Sequence, residues 1–282
     1  MSSRYIGRFA PSPTGRLHFG SLVAAIASYC DAKANNGRWL VRIEDVDGGR
    51  AVDGAADDIL RTLEAYSMVA DGEIVYQSTL SEFYQEHIEI LKSKNLAYDC
   101  GCSRRELESV DGLKIYPGIC RNGLPEDKTP RSVRFLTPST NLNWSDLILG
   151  PQSSLAGTET DFIIRRADGY FAYHLAVVLD DASSGITRVV RGEDLLSSTP
   201  SHLHLQTALS LPHPEYAHVP LAKNKRGNKL SKLTSADPIT ISDAPLQIQQ
   251  ALEFLGIKAV TIDTPERMLT EAISLWDLQK LA

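Results

Sequence analysis

His18, Gly20 and Ser21 stand together at the end of a Pro- and Gly-punctuated stretch, RFAPSPTGRLHFGS (residues 8–21), just ahead of a long apolar run. A turn that feeds a helix aims backbone N–H groups and the positive end of the helix dipole at one point, which suits an anion. Gly20 removes a side chain there, so a bulky ligand can approach the backbone, and His18 and Ser21 offer donors to phosphate oxygens. The same residues also suit a plain strand-to-helix turn. A second cluster bears on that choice. AKNKRGNKLSK, residues 222–232, carries Lys223, Lys225, Arg226, Lys229 and Lys232 in a glycine-containing segment. Such a charge run is commonly a solvated face. Lys229 and Lys232, flanking a small Leu-Ser pair, could instead close on a triphosphate and neutralise charge that builds up during phosphoryl or nucleotidyl transfer.

A third set is built on sulfur. Cys100 and Cys102 are followed after thirteen residues by Tyr116 and after three more by Cys120. In a reducing compartment such a cluster reads as metal ligands rather than disulfides. Three thiolates leave the tetrahedron of a structural zinc one ligand short, and no histidine lies in the segment. Tyr116 is an uncommon ligand because its phenol ionises near pH 10, although a bound dication favours the phenolate. Three unligated thiols are the plain alternative. Cys30, alone in an apolar run, reads as a buried core thiol.

These groups need elements to hold them. RYIGRF alternates as a short strand, and SLVAAIASYCDAKANNG (21–37) has helical spacing and an Asn-Asn-Gly stop. RWLVRIEDVD returns to a strand, so the first 47 residues form a βαβ unit and predict a parallel sheet. Helices follow over 53–68 and 80–95, with His87 expected as a satisfied boundary histidine on the Phe83, Ile90, Leu91 face. Residues 132–136, 142–150, 161–182 and 185–196 read as β-like, 197–211 as a helix and 216–222 as a strand, before two helical stretches near 245–255 and 264–280.

The chain has 282 residues, 43% hydrophobic and 23% charged, with a net charge of −6. That is ordinary globular composition, and it excludes a protein that coats nucleic acid by charge alone, though not one with a local basic strip. No run approaches the roughly 18 apolar residues of a membrane span. The start lacks a signal pattern, so a cytoplasmic protein with no membrane partner is expected.

HFGS after RFAPSPTGRL, with KLSKL some 210 residues later, resembles the paired HIGH and KMSKS signatures of class I aminoacyl-tRNA synthetases. RFAPSPTGRLHFG followed by RIEDVD is similar to the glutamate/glutamine branch, and the likeness runs in order through residues 4–235. The resemblance implies an α/β fold: a Rossmann-type parallel sheet, an inserted zinc-bearing, acceptor-end-like subdomain and a short C-terminal helical stub. It divides the chain into a first catalytic half (1–97), a zinc-binding insertion (98–125), the rest of the inserted subdomain (126–165), a second catalytic half with the KMSKS-like loop (166–238) and a helical C-terminal region (239–282). It also implies His18, Gly20 and Lys232 at ATP, with His18, Ser21, Lys229 and Lys232 as the catalytic set. Ser21 departs from the histidine at the fourth HIGH position, and Leu230 and Leu233 depart from the Met and final Ser of KMSKS.

For the amino acid, a dicarboxylate with an α-ammonium needs a guanidinium and a carboxylate at fixed separation. The resemblance implies Arg8, Ala10, Ser12, Glu44, Tyr173 and Arg191 around L-glutamate. On residues alone, Arg191 and Glu193 would read as a surface salt bridge. Only 50 residues follow Lys232, too few for a helical anticodon-reading domain. The chain is therefore similar to the truncated branch of the family, in which Cys100, Cys102, Tyr116 and Cys120 would hold one structural Zn²⁺. That branch activates glutamate with ATP, assisted by Mg²⁺, and transfers it to queuosine in the anticodon loop of tRNA(Asp). A monomer is expected. A minimal synthetase that charges tRNA(Glu), or a non-catalytic tRNA-binding paralogue, are the alternatives.

Overall fold

In the computed structural model, residues 5–103, 105–107, 116–158, 160–221 and 238–281 are described. Strand β1 (Ile6–Phe9) leads into helix α1 (Phe19–Ala34), and β2 (Arg38–Ile43) returns beside β1 in parallel. The helix stops where Asn36 takes a left-handed φ of 51°. Gly37 follows because an added Cβ would lie 2.6–2.8 Å from Tyr5. Helix α2 (Ala55–Ala65) and the short β3 (Val75–Tyr76) extend the parallel arrangement to β3–β2–β1.

The other half of the sheet is built from distant sequence. Strands β6 (Leu142–Asp146), β7 (Gly150–Ser154), β9 (Arg188–Gly192) and β10 (Glu215–Val219) are ordered β7–β6–β10–β9, parallel except for the β6–β7 hairpin. Strand β9 lies beside β1, with the Thr187 N–H donating to the Ile6 carbonyl at 2.9 Å. From β1 the chain leaves through α1 towards β2. From β9 it leaves on the opposite side through α5 (Thr199–Leu209) towards β10. Strand order therefore reverses between β1 and β9, and the crevice beyond the carboxyl ends of such strands is where open α/β sheets receive ligands.

Residues 142–154, expected within the inserted subdomain, instead join the large sheet. The Leu147 N–H donates to the Tyr216 carbonyl at 2.8 Å. Alternation in a hairpin identifies its strands but not the edge they join. The insertion has its own antiparallel sheet of β4 (Ala97–Cys100), β5 (Ser132–Phe135) and β8 (Ile163–Arg165), with α3 (Ser81–Ser93) against it. On α3 the buried residues are Tyr84, Ile88 and Leu91. Phe83 and Ile90 are half-buried, and His87 sits between with its Nδ1 2.8 Å from the Phe83 carbonyl.

The stretch 161–182 is not wholly β-like. After β8 and a turn at Gly169 (φ 90°) it becomes helix α4, Tyr173–Ser183. Every residue from Leu175 to Asp181 is buried, so the helix has no polar face and its period does not show in the sequence. The two C-terminal helices, α6 (Ala244–Phe254) and α7 (Pro265–Leu275), bury Ile248, Leu252, Met268 and Leu269 in the same core as α1. Cys30 is fully buried in that core. Among the described residues no helix is long and apolar enough to cross a membrane.

Candidate active site

The carboxyl ends of β1, β9 and β10 open onto a cavity of about 680 Å³. His18, Gly20 and Ser21 line one part of it; Arg8, Ala10, Ser12, Glu44, Tyr173 and Arg191 line the rest. Two residue sets read separately from the sequence thus face one space. Lys229 and Lys232, with Lys223, Lys225 and Arg226, lie outside the described residues. The described chain on either side reaches the cavity: Pro220 and Leu221 line it, and Pro238 bridges to His18.

His18 is the N-cap of α1. Its Nδ1 accepts from the Ser21 N–H at 3.2 Å, and its Nε2 lies 3.2 Å from the Ser21 hydroxyl. An accepting Nδ1 places the ring proton on Nε2. Ser21 therefore orients the imidazole rather than adding a second one, and its hydroxyl sits where Nε2–H can donate. Early N–H groups of a helix lack partners within it, so the start of α1 presents donors to the cavity.

Three buried arginines with different partners stand at the amino-acid side, Arg8 and Arg191 lining the cavity and Arg42 behind Glu44. Arg8 pairs with Asp181 at 3.1 Å. Arg42 reaches Asp181 at 2.7 Å, Glu44 at 3.4 Å and Asp180 at 3.6 Å. Both aspartates come from the buried C-terminal half of α4. Burial raises the Glu44 carboxyl to about 7, against the pull of Arg42 and Arg8. Arg8 is thus neutralised internally and Glu44 is poised between its two charge states.

Arg191 differs. It is only 5% exposed, so the surface salt bridge with Glu193 does not form. Its Nε donates to His218 Nε2 at 3.0 Å, and Nη1 to Tyr173 Oη at 3.4 Å, with His202 Nδ1 3.3 Å away. Its Nη2 donates to the Leu195 carbonyl at 3.1 Å and Thr199 Oγ1 at 2.9 Å. All these partners are neutral. Among the described residues no carboxylate forms an ion pair with Arg191. A buried cation without a counter-ion carries a large desolvation cost, and a carboxylate ligand in the cavity would offset it.

Several of these groups were not singled out in the sequence: Arg42, Asp180, Asp181, Asp146, Thr199, His202 and His218. Except for Arg42, two residues from Glu44, each comes from a different element than the residue it supports, so no local spacing marks it. The one available signal was Asp180-Asp181 at the end of an apolar run, a costly place for two carboxylates unless cations meet them. A second cavity of about 300 Å³ shares Ser12, Thr14, Glu44, Arg50 and Tyr173 with the first and extends to Asp47, Arg166 and Phe171.

Away from the cavity, Cys100, Cys102 and Cys120 are buried with their sulfurs within 4.8 Å of one another. The Cys102 and Cys120 sulfurs are 3.7 Å apart, and Tyr116 Oη lies 3.6 Å from the Cys100 sulfur and 4.0 Å from that of Cys102. A tetrahedron with zinc–sulfur bonds of about 2.3 Å has sulfur–sulfur edges of about 3.8 Å, so this donor set fits a tetrahedral soft-ligand metal. The Cys120 N–H donates to Tyr116 Oη at 2.8 Å, and Arg134 stacks 3.8 Å from the ring centroid. Burial and the neighbouring thiols push the Tyr116 phenol up; a dication would reverse that preference. The N–H and the guanidinium both favour the phenolate. Arg134 also donates to the Cys100 sulfur at 3.3 Å, and this thiol is lowered to about 7 despite its burial, helped by the Cys102 N–H and Arg134.

A parallel sheet with an anion-receiving helix start and a charged amino-acid pocket at its switch point is the arrangement of the class I synthetases. Residues 6–258 match the family model for tRNA synthetases class I (E and Q), catalytic domain, and the chain belongs to that family. Within it, the chain is 47% identical over 284 residues to the glutamyl-Q tRNA(Asp) synthetase of Thiobacillus denitrificans, covering 98% of this chain and 94% of that protein. It is 49% identical over 263 residues to the glutamyl-Q tRNA(Asp) synthetase of Dechloromonas aromatica, covering 91% and 87%. The glutamate-tRNA synthetase structure from Elizabethkingia anophelis superposes with a TM-score of 0.81 at 28% identity, over 99% of this chain and 67% of that one.

Proposed function

We propose that the protein activates L-glutamate with ATP and transfers the glutamyl group to the queuosine base in the anticodon loop of tRNA(Asp), in the cytoplasm. The observation that carries this reading is the single cavity that joins the α1 start to a pocket with one unneutralised guanidinium and one titrating carboxylate. Likeness to the glutamyl-Q tRNA(Asp) synthetases supports the choice of acceptor.

In the first step the glutamate α-carboxylate attacks the α-phosphate of ATP in line, forming the mixed anhydride and releasing pyrophosphate. His18 Nε2–H and the free N–H groups of α1 face the phosphates, Lys229 and Lys232 complement them, and Mg²⁺ accompanies the nucleotide as its counter-ion. Glu44 receives the α-ammonium and Arg191 the side-chain carboxylate, with Arg8, Ala10, Ser12 and Tyr173 shaping the pocket. Holding both reactants in one cavity supplies much of the acceleration, and no side chain forms a covalent intermediate. In the second step a cyclopentenediol hydroxyl attacks the glutamyl carbonyl and AMP leaves. The adjoining 300 Å³ cavity gives that hydroxyl a route to the carbonyl past Glu44 and Tyr173. Cys100, Cys102, Cys120 and Tyr116 would hold one Zn²⁺ as a structural cross-link.

The test is labelled glutamate and ATP with tRNA(Asp) that carries or lacks queuosine. Label is expected only on the queuosine form and should resist the mild base that strips 3′-aminoacyl esters only in so far as its own ester does, so its position is read after nuclease digestion. Label at the 3′ end of tRNA(Glu) would instead identify a minimal glutamyl-tRNA synthetase.

A pH dependence follows from Glu44. Its carboxyl is raised to about 7, so the anion that should meet the α-ammonium is lost as pH falls through that value. KM for glutamate in ATP–pyrophosphate exchange is expected to rise between pH 8 and pH 6, approaching tenfold per pH unit at the acid end for one proton. Glu44→Gln should give a high KM without that slope. A wild-type KM flat across the range would count against this role.

A further inference from the structure

We infer that Tyr170 and Arg166, beside the smaller cavity, form a stacking platform for an unpaired anticodon-loop base next to queuosine. This rests on the acceptor reading above and adds the surface that holds the RNA while its modified base is inside.

The turn between β8 and α4 carries the platform. Arg165 and Phe171 face each other in an antiparallel bridge. Within it the Arg166 N–H donates to the Tyr170 carbonyl at 2.8 Å, and the Gly169 N–H to the Arg166 carbonyl at 3.1 Å. Gly169, at φ 90°, closes the turn in a conformation that other residues rarely adopt. Successive residues of an extended chain point to opposite sides, so the two aromatics that leave this turn diverge. Phe171 is buried against Tyr84, with ring centroids 5.3 Å apart, and lines the smaller cavity. Tyr170 stays outside, 37% exposed.

Glycine backbone borders the Tyr170 ring. A Cβ added at Gly48 would lie 3.4 Å from its Oη and 3.5 Å from Cε1, and one at Gly49 3.9 Å from Cε2. Both residues lie beside the ring and contribute no side chain to cover it. The Arg166 guanidinium stands 5.9 Å from the ring centroid. Its hydrogen-bonding edge is taken: Nη1 meets Asp47 at 2.5 Å, and Nε and Nη2 meet Asp168 at 3.1 and 2.5 Å.

That pairing decides the kind of ligand. Two carboxylates fix the guanidinium and oppose a phosphate at that spot, but they do not repel an uncharged base. What Arg166 still offers is a flat face next to a phenol ring, and unpaired RNA bases stack on both kinds of surface. Arg50 reaches outward instead, its side chain 73% exposed with Nε on Asp47 at 2.7 Å. Its other donors suit the phosphate that joins two loop nucleotides. Asp47, Arg50, Arg166 and Phe171 all line the smaller cavity, which opens beside Glu44 and Tyr173. Queuosine entering that cavity leaves the stack of its loop, and the neighbour it abandons loses a partner. The Tyr170 ring, outside both cavities, replaces that partner.

The test separates stacking from mere cover of the glycines. Tyr170→Leu keeps an apolar group over Gly48 and Gly49 but has no π face, and Tyr170→Phe keeps the ring without the hydroxyl. Binding of the queuosine-bearing anticodon stem-loop of tRNA(Asp) is measured by fluorescence anisotropy, alongside glutamyl transfer and ATP–pyrophosphate exchange. Tyr170→Leu should weaken stem-loop binding, and lower kcat/KM for tRNA(Asp), about 10- to 100-fold, with Tyr170→Phe within about twofold of wild type. Exchange, which needs no RNA, should be unchanged in both. An abasic residue on one side of queuosine should weaken binding to wild type yet barely affect Tyr170→Leu, because two partners of one contact are not additive. Wild-type binding by Tyr170→Leu, or an equal loss in Tyr170→Leu and Tyr170→Phe, would overturn the inference. So would abasic effects on both sides that add fully to that of Tyr170→Leu, or a wild-type protein with no affinity for the stem-loop. Tyr170-dependent binding of the stem-loop without glutamyl transfer to queuosine would support the platform and refute only the proposed acceptor.

Discussion

Replacing Arg191 with methionine should lower kcat/KM for glutamate in ATP–pyrophosphate exchange by about 10²–10³-fold, because truncating one partner of a buried charge pair costs about 2–5 kcal/mol. The expectation follows from what surrounds the side chain. Arg8 and Arg42 already have carboxylate partners, so among the described residues the pocket has no other buried guanidinium to take over an incoming carboxylate. Methionine fills similar length but strands the acceptors on His218, Thr199 and the Leu195 carbonyl. Some loss of stability will accompany the substitution, since unsatisfied buried acceptors are costly, and activity must be read on protein shown to be folded. Arg191→Lys keeps the charge but offers three mobile donors instead of a planar fork, so it should fall between wild type and Arg191→Met. A folded Arg191→Met protein with the wild-type KM would exclude Arg191 from the glutamate site.

Removing metal should have the second large effect, on stability rather than on activation. Among the described residues, the core around the sulfur cluster consists of Cys100, Cys102, Tyr116 and Cys120, joined by the half-buried Tyr98, Leu107 and Leu124. A core of that size does not hold a segment without a staple. One zinc per chain is expected by metal analysis. Chelation or Cys120→Ser should cost several kcal/mol locally, read as new protease cleavage between residues 98 and 131. No described residue of that segment lines the 680 Å³ cavity, so glutamate-dependent exchange should persist in the cleavage-sensitive protein. Tyr116→Phe removes only an oxygen, and zinc should then leave to a chelator faster than from wild type. Chelator-treated protein that resists protease as well as untreated protein would show that no metal braces the segment.

Much of this architecture is legible along the chain. The β1–α1–β2 unit could be read because its strand residues, helix period and Asn-Asn-Gly stop are all local preferences within about 40 residues. Cys100, Cys102 and Cys120 could be grouped because cysteines are scarce in this chain and these three lie close together in sequence. Helix α4 was hidden for a physical reason: burial on all sides removes the polar stripe that reveals a helix. The β6–β7 hairpin was assigned to the wrong unit because alternation does not encode the edge a strand joins.

The types and order of the residues in RFAPSPTGRLHFGS, RIED and the Cys segment settle the family and most of the groups that face the cavity, since those chemistries need particular side chains whatever surrounds them. Folding adds the state of charge. Arg8, Arg42 and Arg191 are indistinguishable as letters; what separates them is that α4 brings Asp180 and Asp181 to the first two, while β10 and α5 bring only neutral acceptors to the third. Electrostatic energy depends on distance and burial, and for Arg8 and Arg42 both are set by a helix more than a hundred residues away in sequence.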